Sequence, residues 1–521
     1  MKRIVNIFLA AALIVSGAAF GPSFSVFAAE AEAQEASLYH VMPAGRYDLF
    51  SNYEDGYELF VDPGMEVDMR YAGIAAVLEN ETKRIEIYCQ SLSGLSRAGY
   101  INYSNRFLQN QEDHYGIVQQ TEEIRGRSVQ VTAWERKKLA RVENDKNYYV
   151  CLDIPDGNNI YTILVKSSLP IGENGGYRYL AENFSTMRAK KSGYVRISET
   201  VSESAERWNE ETRGFYQKYF NEPESLSWGI FEPNIDYQGT YEKLEQYEAY
   251  LDYAFPVLLS YTEVKNTSVD AVRSRLSAAY ERGKVLELTL QTSQAENNMV
   301  YEILDGKYDS YLRAYAEVIR EFGHPVLFRL FNEMNGDWCP YSAYNTSRDT
   351  QIFCEAYRYI YSIFEESGAN ENTLWVWNPN SVSYPNFDWN HALMYYPGDE
   401  YVDIIGMTAY NTGTYYSGEK WQSFGELYDA MYRSYCEWFT QPFMITEFAS
   451  SSVGGDKAAW MTDMFSKIKS YGKVRLAVWW DGCDRDADGN IARPYFLDET
   501  PEMLEVFRKG IIKPWNTDVY A

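Results

Sequence analysis

In the C-terminal part of the chain, two glutamates lie at the ends of two apolar segments. Glu333 follows residues 325–331, and Glu447 follows residues 442–446. A pair of carboxyl groups can share the work of cleaving a glycosidic bond. The protonated one donates to the leaving oxygen, and the ionised one attacks or activates water. This chemistry requires a fold that brings both side chains to one cavity.

From residue 227 onward, short apolar segments alternate with segments in which apolar residues recur at helical spacing. This order is typical of parallel βα units. Eight strands are predicted, at 228–231, 255–261, 285–290, 326–331, 374–377, 402–408, 443–447 and 475–480. Helices are predicted between them, among others at 311–322, 350–367 and 457–470.

The pattern predicts a (β/α)8 TIM barrel over residues 227–515. A doubly wound sheet is the alternative, but no Gly-rich phosphate loop follows the first strand. In such a barrel the active site forms where strands end at the C-terminal face. Strands four and seven face each other across the mouth, so Glu333 and Glu447 are expected to converge on one cavity.

The N-terminal end is typical of a secretory signal peptide. A basic start, an apolar run over 4–20 and the small residues near 26–29 predict cleavage after residue 29. A transmembrane anchor is the alternative, but the run is short and Gly17 and Gly21 interrupt it. We therefore expect a secreted, extracellular protein without a membrane anchor.

Within residues 37–198, several segments alternate apolar and polar side chains with a period of two. This pattern predicts a smaller all-β or α+β module. Carbohydrate binding, cell-surface attachment and packing against the barrel are all compatible with this segment. Residues 199–226 carry apolar side chains at helical spacing and predict a connecting helix.

The composition restricts the partners. A formal charge of −26 and a pI near 4.7 argue against nucleic acid, anionic lipid and polyanionic polymers. A neutral polysaccharide fits, and aromatic residues at 16% can supply faces for sugar rings. The six Cys and four His are scattered, so we expect no metal and no cofactor, and a Cys89–Cys151 disulfide is conceivable. We expect a monomer.

Residues 227–512 resemble glycoside hydrolase family 26, a β-mannanase-like family of a large clan of retaining (β/α)8 hydrolases. The likeness rests on ordered motifs and excludes the N-terminal module. These motifs are Phe328-Arg329 with Glu333-Met334-Asn335-Gly336 and Trp338, Trp375-Val376-Trp377-Asn378-Pro379-Asn380, residues 396–406 with Tyr410, Thr446-Glu447-Phe448-Ala449-Ser450, and Trp479-Trp480-Asp481.

The resemblance implies roles for these positions. Glu333 would be the acid/base and Glu447 the nucleophile of a double displacement. Arg329 would hold the nucleophile carboxylate, and Tyr410 would hydrogen-bond it. Trp338, Trp377 and one of Trp479 or Trp480 would supply faces for sugar rings, although large aromatic residues are as often part of a core.

One position departs from the family. His usually precedes the acid/base, whereas this chain has Asn332, as the wider clan does. There the Asn amide contacts the sugar 2-hydroxyl, which is axial in mannose and equatorial in glucose and xylose. We therefore expect an endo-acting β-1,4-mannanase acting on mannan, galactomannan or glucomannan. Mixed-linkage β-glucan and β-xylan are the alternative substrates.

Two other classes of function compete with hydrolysis. An inactive glycan-binding barrel is disfavoured, because Glu333, Glu447, Arg329 and Tyr410 are all present. A serine esterase is disfavoured by the absence of a GxSxG motif.

Overall fold

The computed structural model describes residues 34–511 except 36, 172–175, 196–203, 222, 224, 294 and 297. The predicted signal peptide at residues 1–29 lies outside the described residues, as do residues 512–515. None of the described helices combines the length and the hydrophobicity that a bilayer span requires.

The N-terminal module consists of two antiparallel sheets. One has four strands in the order β1-β2-β3-β11, and the other has seven in the order β4-β5-β6-β10-β9-β8-β7. Its strands are β1 (Tyr39–Ala44), β2 (Tyr47–Asn52), β3 (Tyr57–Val61), β4 (Glu66–Asp68), β5 (Ala75–Glu79), β6 (Lys83–Ser91), β7 (Tyr115–Ile124), β8 (Arg127–Glu135), β9 (Tyr148–Asp156), β10 (Asn159–Ser167) and β11 (Ser185–Thr186). Two helices accompany them, α1 (Arg97–Ser104) and α2 (Arg178–Glu182).

The connecting segment contains short helices instead of the single helix predicted for 199–226. Its described part forms α3 (Ser204–Arg207), α4 (Glu210–Tyr216) and a π-helical turn (Gln217–Asn221). Trp208, Phe215 and Phe220 are buried in one cluster with barrel side chains such as Val257 and Leu327. The segment therefore packs its aromatic residues against the barrel and is not a free linker.

The following eight strands are parallel and close into a barrel, which confirms the predicted fold class. They are β12 (Ser227–Phe231), β13 (Val257–Glu263), β14 (Val285–Gln291), β15 (Val326–Leu330), β16 (Thr373–Trp377), β17 (Ile404–Thr408), β18 (Phe443–Phe448) and β19 (Val474–Trp480). Each strand begins and ends within two residues of its prediction. Apolar runs mark these strands because a parallel barrel buries both of their faces.

Helices follow most barrel strands. They are α5 (Pro233–Gln238), α6 (Glu242–Leu251), α7 (Val269–Tyr280), α8 (Met299–Leu304), α9 (Asp309–Phe322), α10 (Thr350–Ser367), α11 (Phe424–Trp438), α12 (Lys457–Lys467) and α13 (Pro501–Ile511). After β19 the chain forms a hairpin of β20 (Cys483–Arg485) and β21 (Ile491–Pro494). All six cysteines are free in the structure, so the conceivable Cys89–Cys151 pair is not formed.

The seven-stranded sheet packs against the barrel. Ile74, Val77 and Tyr88 belong to the same buried apolar cluster as barrel residues such as Phe328. Lys166 on β10 is almost fully buried and donates to Asp349, which caps α10. The sheet therefore covers apolar side chains of the barrel that would otherwise be exposed to water.

The loop between β15 and α10 carries much of this interface. Tyr149 donates to Asp349 over 2.8 Å, and Arg348 donates to the Tyr100 hydroxyl over 3.0 Å. His114 lies 3.0 Å from the Ser347 hydroxyl. Ser347 and Arg348 both adopt left-handed backbone conformations, with φ of 57° and 54°. The N-terminal module thus fixes the end of the loop that begins with Glu333.

Candidate active site

A cleft of about 1990 Å³ opens where the barrel strands end at their C-terminal face. Glu333 lies just beyond β15, and Glu447 is the second-last residue of β18. Both side chains line this cleft, together with Asn332, Trp338 and Tyr410. The structure therefore brings together the two carboxyl groups that the sequence placed on strands four and seven.

Glu447 is held by two donors on the same oxygen. Arg329 donates from Nη2 to Oε2 over 2.9 Å, and the Tyr261 hydroxyl donates to the same atom. Among the described residues no hydrogen bond reaches Oε1 of Glu447. The two hydrogen bonds to Oε2 fix the orientation of the carboxyl group and leave Oε1 without a partner among the described residues.

Arg329 is itself fully buried on β15 and fixed by neighbouring strands. Its Nε donates to the Thr289 hydroxyl over 2.8 Å, and Nη1 donates to Asn378 Oδ1 over 3.2 Å. A buried guanidinium needs such partners, and its planar fork then holds a carboxylate in one orientation. The predicted contact between Arg329 and Glu447 is present.

Glu333 lies in the opposite electrostatic environment. Burial and the charge of Glu447 together raise the pKa of Glu333 to about 8, against the opposing influence of Arg329. Its φ of 55° is left-handed, and its backbone N–H donates to the Asn378 carbonyl over 2.7 Å. A carboxyl group with this pKa carries a proton at neutral pH, so it can act as an acid beside an ionised partner.

Asn332 is 4% exposed and is held in place by two side chains. Gln291, at the end of β14, donates from Nε2 to Asn332 Oδ1 over 2.8 Å. The Tyr341 hydroxyl donates to the Asn332 carbonyl over 2.6 Å. Because Oδ1 accepts from Gln291, the Nδ2 group of Asn332 is the side that can donate to a ligand.

Tyr410 lines the cleft, but its predicted hydrogen bond to Glu447 is wrong for this structure. Among the described residues no hydrogen bond joins the two side chains, and the donating hydroxyl belongs to Tyr261 instead. Strand β17 ends at Thr408, and Tyr410 lies two residues beyond it. Its ring lies 5.3 Å from Tyr495 and 6.3 Å from Trp480.

The predicted sugar-binding tryptophans divide into two groups. Trp338 is 41% exposed and lines the cleft, and Trp480 lines it with one side stacked on Phe231 at 5.2 Å. Trp377 and Trp479 have no exposed surface, and their indole N–H groups donate to backbone carbonyls. A ring without accessible surface cannot stack on a sugar, which corrects the prediction for these two residues.

Glu287 is a site residue that no sequence motif indicated. It lies on β14, is fully buried and has Oε1 3.2 Å from Nε of Arg329. Neither of its oxygens has a hydrogen-bond partner in the described part of the chain. Burial raises the pKa of Glu287 to about 8, so it is mostly neutral at pH 7 and leaves the Arg329 charge to Glu447.

The described residues contain no group of three His, Cys, Asp or Glu side chains that could hold a metal ion. The Asp-rich segment 484–490 forms the β20–β21 hairpin, where Asp486 accepts hydrogen bonds from the backbone of Asp488 and Asn490.

Comparison with known proteins supports the resemblance to a family of glycoside hydrolases. Residues 287–441 match the model of glycosyl hydrolase family 26. This segment of the barrel is similar to glycosyl hydrolase family 26. The resemblance inferred from the sequence motifs is thereby confirmed, and the matched segment contains Glu333 but ends before Glu447.

Individual relatives align over part of the chain. Endoglucanase H of Acetivibrio thermocellus is 34% identical over 250 residues, which are 47% of this chain and 26% of that protein. A mannan endo-1,4-beta-mannosidase of Bacillus subtilis is 33% identical over 134 residues, which are 24% of this chain and 36% of that protein. The chain thus spans 26% and 36% of the length of these two relatives.

Among solved structures, a modular endo-beta-1,4-mannanase from Cellulomonas fimi is 18% identical. The match covers 61% of this chain and 77% of that chain, with a TM-score of 0.46.

Proposed function

We propose that this protein is a secreted, retaining endo-β-1,4-glycanase that hydrolyses mannan, galactomannan or glucomannan. One observation carries the proposal: a carboxylate fixed by a buried arginine shares a cleft with a buried carboxyl group, Glu333, whose pKa is raised by burial and by the charge of Glu447. The family-26 match and the Bacillus subtilis mannan endo-1,4-beta-mannosidase relative support the choice of substrate.

The reaction proceeds in two displacements. Glu333 donates its proton to the glycosidic oxygen while Oε1 of Glu447 attacks the anomeric carbon, so the bond to the leaving sugar breaks as an ester to Glu447 forms. Glu333, now ionised, takes a proton from water, and that water attacks the anomeric carbon. The bond to Glu447 breaks, and the product keeps its original configuration. Arg329 and Tyr261 stabilise the carboxylate that leaves.

A second candidate substrate is a β-1,4- or mixed-linkage β-glucan. The relative with the longer alignment is named Endoglucanase H, and Asn332 stands where the family usually has His. Because the 2-hydroxyl is axial in mannose and equatorial in glucose and xylose, a changed contact at this position is a reason to test these sugars. Xylan follows as a third candidate by the same geometry.

Reducing-sugar assays on galactomannan, lichenan and xylan test the substrate directly. We expect turnover on at least one, and the ratio of kcat/KM between galactomannan and lichenan ranks the two leading candidates. Asn332→His is the matched variant. A shift toward galactomannan would assign the preference to Asn332, and an unchanged ratio would place specificity in the other loops. No turnover on any polymer would refute the enzymatic proposal.

Glu447→Ala separates hydrolysis from mere glycan binding. The variant should lose turnover, because no covalent intermediate can form, and added azide should restore part of it with a product of inverted configuration. A protein that only binds glycan would show no activity to lose. Wild-type activity in Glu447→Ala would show that Glu447 is not the nucleophile.

A further inference from the structure

One end of the cleft carries several exposed apolar side chains. Trp338, Val382 and Tyr384 line this end and are 41%, 45% and 48% exposed. The rings of Trp338 and Tyr384 lie 5.4 Å apart. Beside them, Tyr103 on α1 of the N-terminal module is 37% exposed. We call these four residues the rim patch.

Two contacts attach Tyr103 to the rim. Its hydroxyl donates to Asp337 over 2.9 Å, and its ring lies 6.1 Å from that of Phe387. Each partner neighbours a residue that lines the cleft, since Asp337 precedes Trp338 and Phe387 follows Asn386. Tyr103 therefore adjoins the segments that line the cleft, although another module supplies it.

The helix that carries Tyr103 is fixed to the barrel. The hydroxyl of Ser104 accepts from the Trp389 indole over 3.0 Å, and the Tyr100 ring lies 4.6 Å from that of Phe387. An aromatic ring that is already immobile loses little conformational freedom when a ligand packs on it. Tyr rings are suited to this because they combine an apolar face with a polar end.

We propose that Tyr103 extends the substrate cleft onto the N-terminal module and forms an outer subsite for further sugar residues of the neutral β-linked polysaccharide. The occupant is the outer end of the glycan chain bound at Glu333 and Glu447, because three residues of the rim patch line the cleft and none of its four side chains is charged. This inference rests on the proposed function. It gives the module a direct part in binding long substrates.

Tyr103→Ala tests the subsite, with Tyr115→Ala as the matched control because Tyr115 is 44% exposed on β7 of the same module. For glucomannan we expect KM to rise about threefold to tenfold in Tyr103→Ala, the scale of one lost aromatic contact. For the p-nitrophenyl disaccharide glycoside that the wild type cleaves, kcat/KM should stay within twofold. Tyr103→Phe keeps the ring and should lie between wild type and Tyr103→Ala.

Equal losses on the polymer and on the short glycoside would overturn the subsite while leaving the proposed function intact. So would an unchanged KM in Tyr103→Ala. Affinity electrophoresis in gels containing glucomannan gives a readout that does not depend on turnover. Tyr103→Ala should be retarded less than the wild type and Tyr115→Ala equally, and equal retardation of all three proteins would refute the proposal even if no hydrolysis were detected.

Discussion

Raising the pH should remove the proton that Glu333 donates. Burial and the Glu447 charge raise the pKa of Glu333 from its ordinary 4.5 to about 8. At pH 7 roughly nine tenths of the molecules then carry the proton, and at pH 9 roughly one tenth do. Hydrolysis that needs an acid should therefore fall about tenfold between these values, with its alkaline limb near pH 8.

The assay compares two leaving groups on the same glycone. For an oligosaccharide, kcat/KM should show the alkaline limb, because the departing sugar needs the Glu333 proton. For a 2,4-dinitrophenyl glycoside the leaving group needs no proton, so the limb should be absent or much weaker. Glu333→Gln is the matched control, since it has no proton to lose.

Two results would refute this reasoning. An oligosaccharide limb near pH 5 would mean that neither burial nor Glu447 raises the pKa of Glu333. A limb of equal size and position for both leaving groups would mean that the titrating group is not the acid that assists departure.

Three further predictions follow from the contacts around the site. Tyr261→Phe removes one of two donors to Glu447 and should lower kcat/KM about 10- to 100-fold, whereas an unchanged value would show that Arg329 alone suffices. The folded-state pKa of Glu287 is raised to about 8, so its stability contribution is present below pH 4.5 and lost as the pH rises toward 8. Urea unfolding should therefore show wild type losing stability relative to Glu287→Gln between pH 5 and 7.5, by about 1.4 kcal/mol per pH unit at most, and parallel curves would contradict it. Deleting residues 37–198 should give aggregated protein, because the barrel face shared with the seven-stranded sheet becomes exposed, and a monomeric product with wild-type Tm would refute this.

The sequence predicted the barrel because parallel strands buried on both faces read as short apolar runs. The same rule located Glu333 and Glu447, since polar residues just past such runs line the mouth of the barrel. Glu287 was missed although a charged residue inside the apolar run 285–290 was a visible signal. Tyr261 was missed because a tyrosine ending an apolar run has no distinctive pattern.

The remaining errors concern tertiary contacts. Trp377 and Trp479 have the residue type that binds sugars, but which face of a strand a ring occupies depends on tertiary packing that no local sequence pattern reveals. The role of the N-terminal module was open for the same reason. Its contacts to Asp349 and Asp337 join residues more than 180 positions apart, and no local pattern announces them.

Trapping the covalent intermediate tests the central claim most directly. A 2-deoxy-2-fluoro glycoside with an activated leaving group, built on the sugar that the enzyme prefers, slows the second displacement and lets the ester accumulate. Peptide mass spectrometry should then find one glycosyl group on Glu447 and none on Glu333. A label on another residue, or turnover of the activated glycoside with an initially inverted product, would contradict the account.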